Sequence, residues 1–276
     1  MGEFLSIDET ALSNGELYTI VTNKEAKGKK GSLVAIIEGT KSSNIIKILK
    51  KIPQEKREAV KEVTLDMSNA MDMIIRFAFP NAKIVIDRFH TQQLVTEAVQ
   101  DIRVDFRREA MKEENEALKK AREEKKKFKP LRYENEETKK QLLARGRYLL
   151  FKPKSKWTIN QKQRAVILFR EFPELEKAYE LSMMFRACYE NCKSIEDGKR
   201  SLDNWFKKVE EKKIESFLVP AETIRLHQMN ILNYFVNRST NASAESFNAK
   251  IKGFRSLLRG VNDKTFFLFR VSKLYA

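Results

Sequence analysis

The sequence predicts an α/β protein: a mixed five-stranded sheet with flanking helices, interrupted by a large all-helical insertion. Three observations carry this. The first ninety residues alternate strand-like and helix-like segments. After His90 only helical periodicity remains, until a last amphipathic segment near residue 245. The chain also has 276 residues with 42% hydrophobic content, enough for a sizeable core.

The elements follow in order. "FLSIDETAL" and "ELYTIVTN" are strand-like and separated by the turn signal Ser13-Asn14-Gly15. "GSLVAIIEG" follows the basic, glycine-containing turn "KEAKGKKG", so three strands form an antiparallel meander. "SSNIIKILKKIPQEKRE" places Ile45, Ile48, Leu49 and Ile52 at helical spacing after a Ser-Ser start. "VKEVTLDMS" predicts a fourth strand. "NAMDMIIRFAFP" predicts a helix stopped by Pro80, and "AKIVIDRF" a buried fifth strand with a continuous apolar run. The order β-β-β-α-β-α-β is that of the ribonuclease-H-like fold. From residue 91 to about 128 a long helix is expected, with Val95, Val99, Ile102, Phe106 and Ala110 on one stripe. Its highly charged end, "KEENEALKKAREEKKK", suits a solvated helix with ion pairs four residues apart, or else a DNA-facing arm. The expected divisions are a core of residues 1–90, a helical insertion of 91–235, and a closing part, 236–276, that returns to the core.

Formal net charge is +16, from 54 basic and 38 acidic residues. Such a surplus favours a polyanionic partner. Cys188 and Cys192 lack histidine neighbours and are expected to be buried thiols of a reducing compartment. No apolar run is long enough to span a bilayer and no signal peptide is apparent, so a cytoplasmic, nucleoid-associated protein is expected.

Asp8 stands in the middle of a predicted strand, where aspartate is disfavoured. Asp66 ends the fourth strand, which neighbours the first at the centre of this fold. Two carboxylates meeting there repel each other, and divalent cations relieve that repulsion. Glu9 points to the opposite face by strand alternation. The third acid is expected to be Glu245, in "NRSTNASAESFNAKIKGFRSLLRG", where Ser239, Thr240 and Asn241 are good helix-starting residues. There Phe247, Ile251, Phe254 and Leu258 make an apolar stripe, while Glu245, Asn248, Lys252 and Arg255 share another face. In isolation that face also fits an ordinary polar helix surface. Asp87, in "IVIDRFH", competes with Asp66 for the second position; His90 is expected near the site, touching phosphate or steadying an acid. Arg88 in the same run, with Lys252 and Arg255, is a candidate DNA contact. Trp157 and Trp205 are candidates for stacking on an unpaired base, but core packing is the more frequent role of such residues. No nucleophilic triad, P-loop or dinucleotide fingerprint is present.

Together "SIDETAL…ELYTIVTN", "LDMSNAMDMIIRFAFPNAKIVIDRFH" and "NASAESFNAKIKGFRSLLRG" resemble the DDE transposases of bacterial insertion sequences of the ISL-three group, over essentially the whole chain. The resemblance implies a ribonuclease-H-like catalytic core with an all-helical insertion before the last acidic helix. It implies DNA cleavage and strand transfer dependent on a pair of Mg²⁺ ions, with Mn²⁺ as a substitute. Residue by residue, the triad falls on Asp8, Asp66 and Glu245; the acid-and-histidine signature falls on Asp87 and His90; the amide and lysine after the glutamate fall on Asn248 and Lys252. The implied partners are DNA, as element ends and as target, and further copies of the chain as a dimer or higher assembly. Longer relatives carry an N-terminal zinc-binding and helix-turn-helix region, and this chain begins almost at the first catalytic strand. A separate end-recognition protein is therefore expected. Two alternatives remain open: a nuclease of the same fold without transfer, and an inactive transposase-derived DNA-binding regulator.

Overall fold

The computed structural model describes residues 1–12, 15–258 and 263–276. Ser13 and Asn14 of the expected turn lie outside the described residues. Five strands, β1 (Phe4–Ala11), β2 (Leu17–Asn23), β3 (Leu33–Glu38), β4 (Glu62–Leu65) and β5 (Lys83–Ile86), form one sheet in the order β3-β2-β1-β4-β5. β1, β2 and β3 pair antiparallel; β1, β4 and β5 pair parallel. This is the mixed sheet expected of the ribonuclease-H-like α/β fold, with β1 and β4 adjacent at its centre.

The helix expected over "SSNIIKILKKIPQEKRE" is two: α1 (Ser42–Leu49) and α2 (Gln54–Glu58). Pro53 has no N–H to continue the first helix, and its fixed φ suits the position just before the second. α3 (Asn69–Ala78) buries Met71, Ile74, Ile75 and Ala78, and ends at the Phe79-Pro80 step. α4 (Arg88–Glu123) is the long helix, starting three residues earlier than its apolar stripe suggested.

The described residues fall into two compact units: residues 1–91 with 227–276, and residues 92–226. The second unit is helical. It holds most of α4, then α5 (Lys139–Arg145), α6 (Ile159–Glu171), α7 (Pro173–Asn191), α8 (Ile195–Lys212) and α9 (Leu218–Leu226). Thr138 and Thr158 start α5 and α6 with reciprocal capping boxes to Gln141 and Gln161. Cys188 and Cys192 are both buried.

The first unit resumes with α10 (Gln228–Leu232) and α11 (Tyr234–Asn237), and Asn233 Nδ2 donates to the Ile84 carbonyl of β5 (2.8 Å). It closes with α12 (Ala242–Leu257) and α13 (Lys264–Tyr275). Phe247 and Ile251 of α12 join Tyr18, Ile20, Leu33, Phe267 and Val271 in one buried cluster, with Phe254 and Leu258 packed against it. The apolar stripe seen in the sequence thus fixes α12 on the sheet, and with it the direction of its other face. Among the described residues, no helix is long and apolar enough to cross a membrane.

Candidate active site

Strand register places the acids. Ser6 of β1 pairs with Thr64 of β4, and Thr64 with Val85 of β5. Two residues further along each strand, on the same face, come Asp8, Asp66 and Asp87. They form a row across three adjacent parallel strands: Asp66 and Asp87 just past the carboxyl ends of β4 and β5, where open α/β sheets characteristically bind ligands, and Asp8 within β1.

The three carboxylates have different surroundings. Asp8 Oδ1 accepts the Glu9 N–H (2.8 Å) and Oδ2 accepts Asn248 Nδ2 from α12 (2.6 Å). Burial and the neighbouring Asp66 charge push the Asp8 carboxyl up from its usual range to about 6, against the pull of its hydrogen bonds and of His90. Asp66 Oδ1 faces His90 Nε2 (2.9 Å) and receives Asn241 Nδ2 at 3.4 Å. The hydrogen bond to Asp66 is the main cause of the raised His90 pKa, and burial opposes it. Asp8 and Asp66 share a pocket of about 230 Å³ with Ile7, Glu9, Ser68 and Met71.

Asp87 is otherwise employed. It is buried, 2% exposed, and caps α4: its Oδ1 accepts the Phe89 N–H (2.6 Å), and its Oδ2 accepts the backbone N–H of Asn241. One residue, Asn241, therefore ties Asp66 and Asp87 to the start of α12. Sequence reasoning passed over it as a helix-starting residue. The signal was present, since Asn241 precedes Glu245 by one helical turn and belongs to the same face.

Glu245 is exposed in the first turn of α12. Helical steps of four and three put it between Asn241 and Asn248, the two residues that reach Asp66 and Asp8. It is not among the residues lining the Asp8–Asp66 pocket. Among the described residues, no three His, Cys, Asp or Glu side chains lie together as a metal site. The fit to a hard cation rests on other observations. Two carboxylates face each other with one strongly raised pKa, and the amide oxygens of Asn241 and Asn248, both buried, have no hydrogen-bond partner among the described residues. Oxygen donors gathered around excess negative charge are the set that Mg²⁺ or Mn²⁺ takes.

Of the expected DNA contacts, Lys252 and Arg88 are exposed. Arg88 Nη1 lies 3.3 Å from the Tyr234 hydroxyl. Arg255 is a correction. It is 4% exposed and forms a two-pronged ion pair with buried Glu16 (3.0 and 2.8 Å), over the ring of Phe267. A guanidinium committed to an internal carboxylate is not offered to phosphate. The tryptophans serve packing. Trp205 is fully buried with Nε1 donating to the Leu181 carbonyl (2.9 Å). Trp157 lies against Phe169 and Tyr179 and donates to the Leu149 carbonyl (2.8 Å).

The family model of the DDE transposases of the ISL-three group, described as "Transposase", matches residues 5–271. No curated protein and no solved structure matches the chain. The match spans both units and every residue of the acidic row, and the chain belongs to this transposase family.

Proposed function

We propose that this transposase-family chain cuts DNA strands and joins their ends to a target at the Asp8–Asp66 pair, with Glu245 as third carboxylate and Mg²⁺ as cofactor. The observation that carries the proposal is the bridging of Asp8 and Asp66 by Asn248 and Asn241 from a single helix, with Glu245 on the face between them.

Asp8, Asp66 and Glu245 would hold the ions; Mn²⁺ would serve in place of Mg²⁺. A bound pair of divalent ions supplies activation of the attacking oxygen and charge stabilisation on the leaving one. The chain's own residues do the rest. Asn248 and the Glu9 N–H fix the rotamer of Asp8. His90 steadies Asp66 and, when protonated, offsets part of the charge of the row. Arg88, exposed next to Asp87 in the chain, and Lys252, exposed two helical turns beyond Glu245, bind phosphate oxygens of the strand. The helical unit adds DNA contacts, and further copies of the chain bridge two element ends and the target. The division into a sheet-bearing catalytic unit and a helical insertion belongs to the same proposal, as does action in the cytoplasm on nucleoid DNA.

The test uses the purified chain with supercoiled DNA carrying the element's ends and, separately, with a pre-cut 3′ end. Asp8→Asn, Asp66→Asn and Glu245→Gln are expected to abolish Mg²⁺-dependent nicking while DNA affinity persists. Unchanged nicking in any of them removes that residue from the triad. Nicking without joined products from the pre-cut end replaces transfer with simple nuclease action, and no nicking by the unsubstituted chain, with or without a separate end-recognition protein, makes it a DNA-binding regulator.

A further inference from the structure

Phe89 is 61% exposed, although it stands one residue from His90 and two from Asp87. It occupies the second position of α4, in a first turn where small polar and acidic side chains are favoured. Its backbone is rigidly set, because its N–H donates to the buried Asp87 carboxylate (2.6 Å). The ring is also held: it meets the His90 imidazole at 89° with centroids 5.6 Å apart. A right-angled contact covers at most one face, so at this exposure the other is open to solvent. The same imidazole reaches Asp66 at 2.9 Å. Three other exposed aromatic rings are used differently. Phe77, Tyr148 and Phe269 each carry a lysine or arginine over the ring. Among the described residues Phe89 is outside the core cluster around Phe247 and Phe267, and at this exposure packing does not account for it.

We infer that Phe89 is a stacking platform for one unpaired nucleobase next to the phosphate being cut. Resting on the proposed strand cleavage, this assigns the site a preference for locally melted DNA. A base within a duplex has both faces occupied by its neighbours, and extruding it breaks that stacking and its pairing. An open aromatic face beside the reacting phosphate repays part of that cost for any base, because every base has a π-face. Arg88, the adjacent exposed cation, holds the backbone on the 5′ or 3′ side of the stacked nucleotide.

The test uses the full chain in EDTA, so that no strand is cut. The probe is a forked DNA with 2-aminopurine as the unpaired nucleotide at the junction, beside a fully paired duplex of the same sequence. The unsubstituted chain quenches the fork's fluorescence. Phe89→Ala loses the quenching and binds the fork roughly 5- to 150-fold more weakly, the range of a lost base–aromatic stack, with duplex affinity unchanged. Phe89→Trp restores both. Equal quenching by Phe89→Ala overturns the inference, as does equal loss of fork and duplex binding. Binding of the fork without quenching by the unsubstituted chain overturns the stacking site alone. Failure to bind either DNA overturns the proposed function as well.

Discussion

Replacing Asp8 by asparagine is expected to stabilise the metal-free protein at neutral pH while destroying its activity. The carboxyl is raised from 3.8 to about 6 by burial and by the charge of Asp66. In the unfolded chain it returns to its ordinary value. A raised acid favours the folded state below the ordinary value, and this advantage is lost as pH rises through about 6. For a fully buried carboxyl the gap would be about 3 kcal/mol; Asp8 is only partly buried, and solvent screening reduces the stability surrendered above pH 6 to on the order of 1–2 kcal/mol. Asparagine has the same shape, keeps an acceptor for the Asn248 amide, and carries no charge to surrender. At pH 7.5 in EDTA, Asp8→Asn should therefore melt several degrees above the unsubstituted chain, at about 2 °C or more per kcal/mol for a protein of this size. At pH 4 the two should nearly coincide. Adding Mg²⁺ at pH 7.5 should raise the melting temperature of the unsubstituted chain and leave Asp8→Asn nearly unchanged. Thermal denaturation followed by far-ultraviolet circular dichroism reads all of these. Asp8→Asn melting at or below the unsubstituted chain at pH 7.5 would refute the argument that the acid pair is strained without a cation.

Two further perturbations separate structural from functional charge. Arg255→Met strands a buried Glu16 carboxylate and should cost about 3–5 kcal/mol, whereas Glu16→Leu with Arg255→Met should recover most of that loss; denaturant titration of the three variants decides it. Because Arg255 holds the Glu16 pKa low, the pair's contribution is complete above the ordinary glutamate value of 4.5 and fades as pH falls through the lowered one. Asp87→Ala removes the α4 cap and the anchor of the Asn241 N–H, and should cost about 2 kcal/mol or more. It should also reduce nicking, because the start of α12 is freed; Asp87→Asn should lose less on both counts.

The order of the sheet was legible because each strand advertised itself differently: alternation in "ELYTIVTN", a continuous apolar run in "KIVI", and an aspartate where a strand resists one. Adjacency of β1 and β4 followed from that order and brought Asp8 and Asp66 to one place. His90 was expected to steady an acid and lies 2.9 Å from Asp66. Asp87 carried two signals at once, a ligand's and a cap's. An acid just before a helix start is a capping pattern in its own right, and the structure uses it so. Arg255 was misjudged because its partner is 239 residues away, across a pairing that no local pattern announces. A cation on the polar side of an amphipathic helix reads as exposed until the opposing element is known.

The two faces of α12 explain why site and core are inseparable here. Phe247 and Ile251 sink into the cluster formed with β2, β3 and α13, leaving the helix no freedom to rotate. Asn241, Glu245 and Asn248 lie elsewhere on its circumference, so their direction is dictated by that packing. Asn241 and Asn248 already engage the two strand acids through their amide nitrogens, each leaving a buried amide oxygen without a partner. Glu245, between them on the helix, is exposed, and the Asp8–Asp66 pair carries unrelieved charge. The helix thus supplies position through its apolar stripe, and in the proposed site a bound cation is what would draw Glu245 toward Asp8 and Asp66.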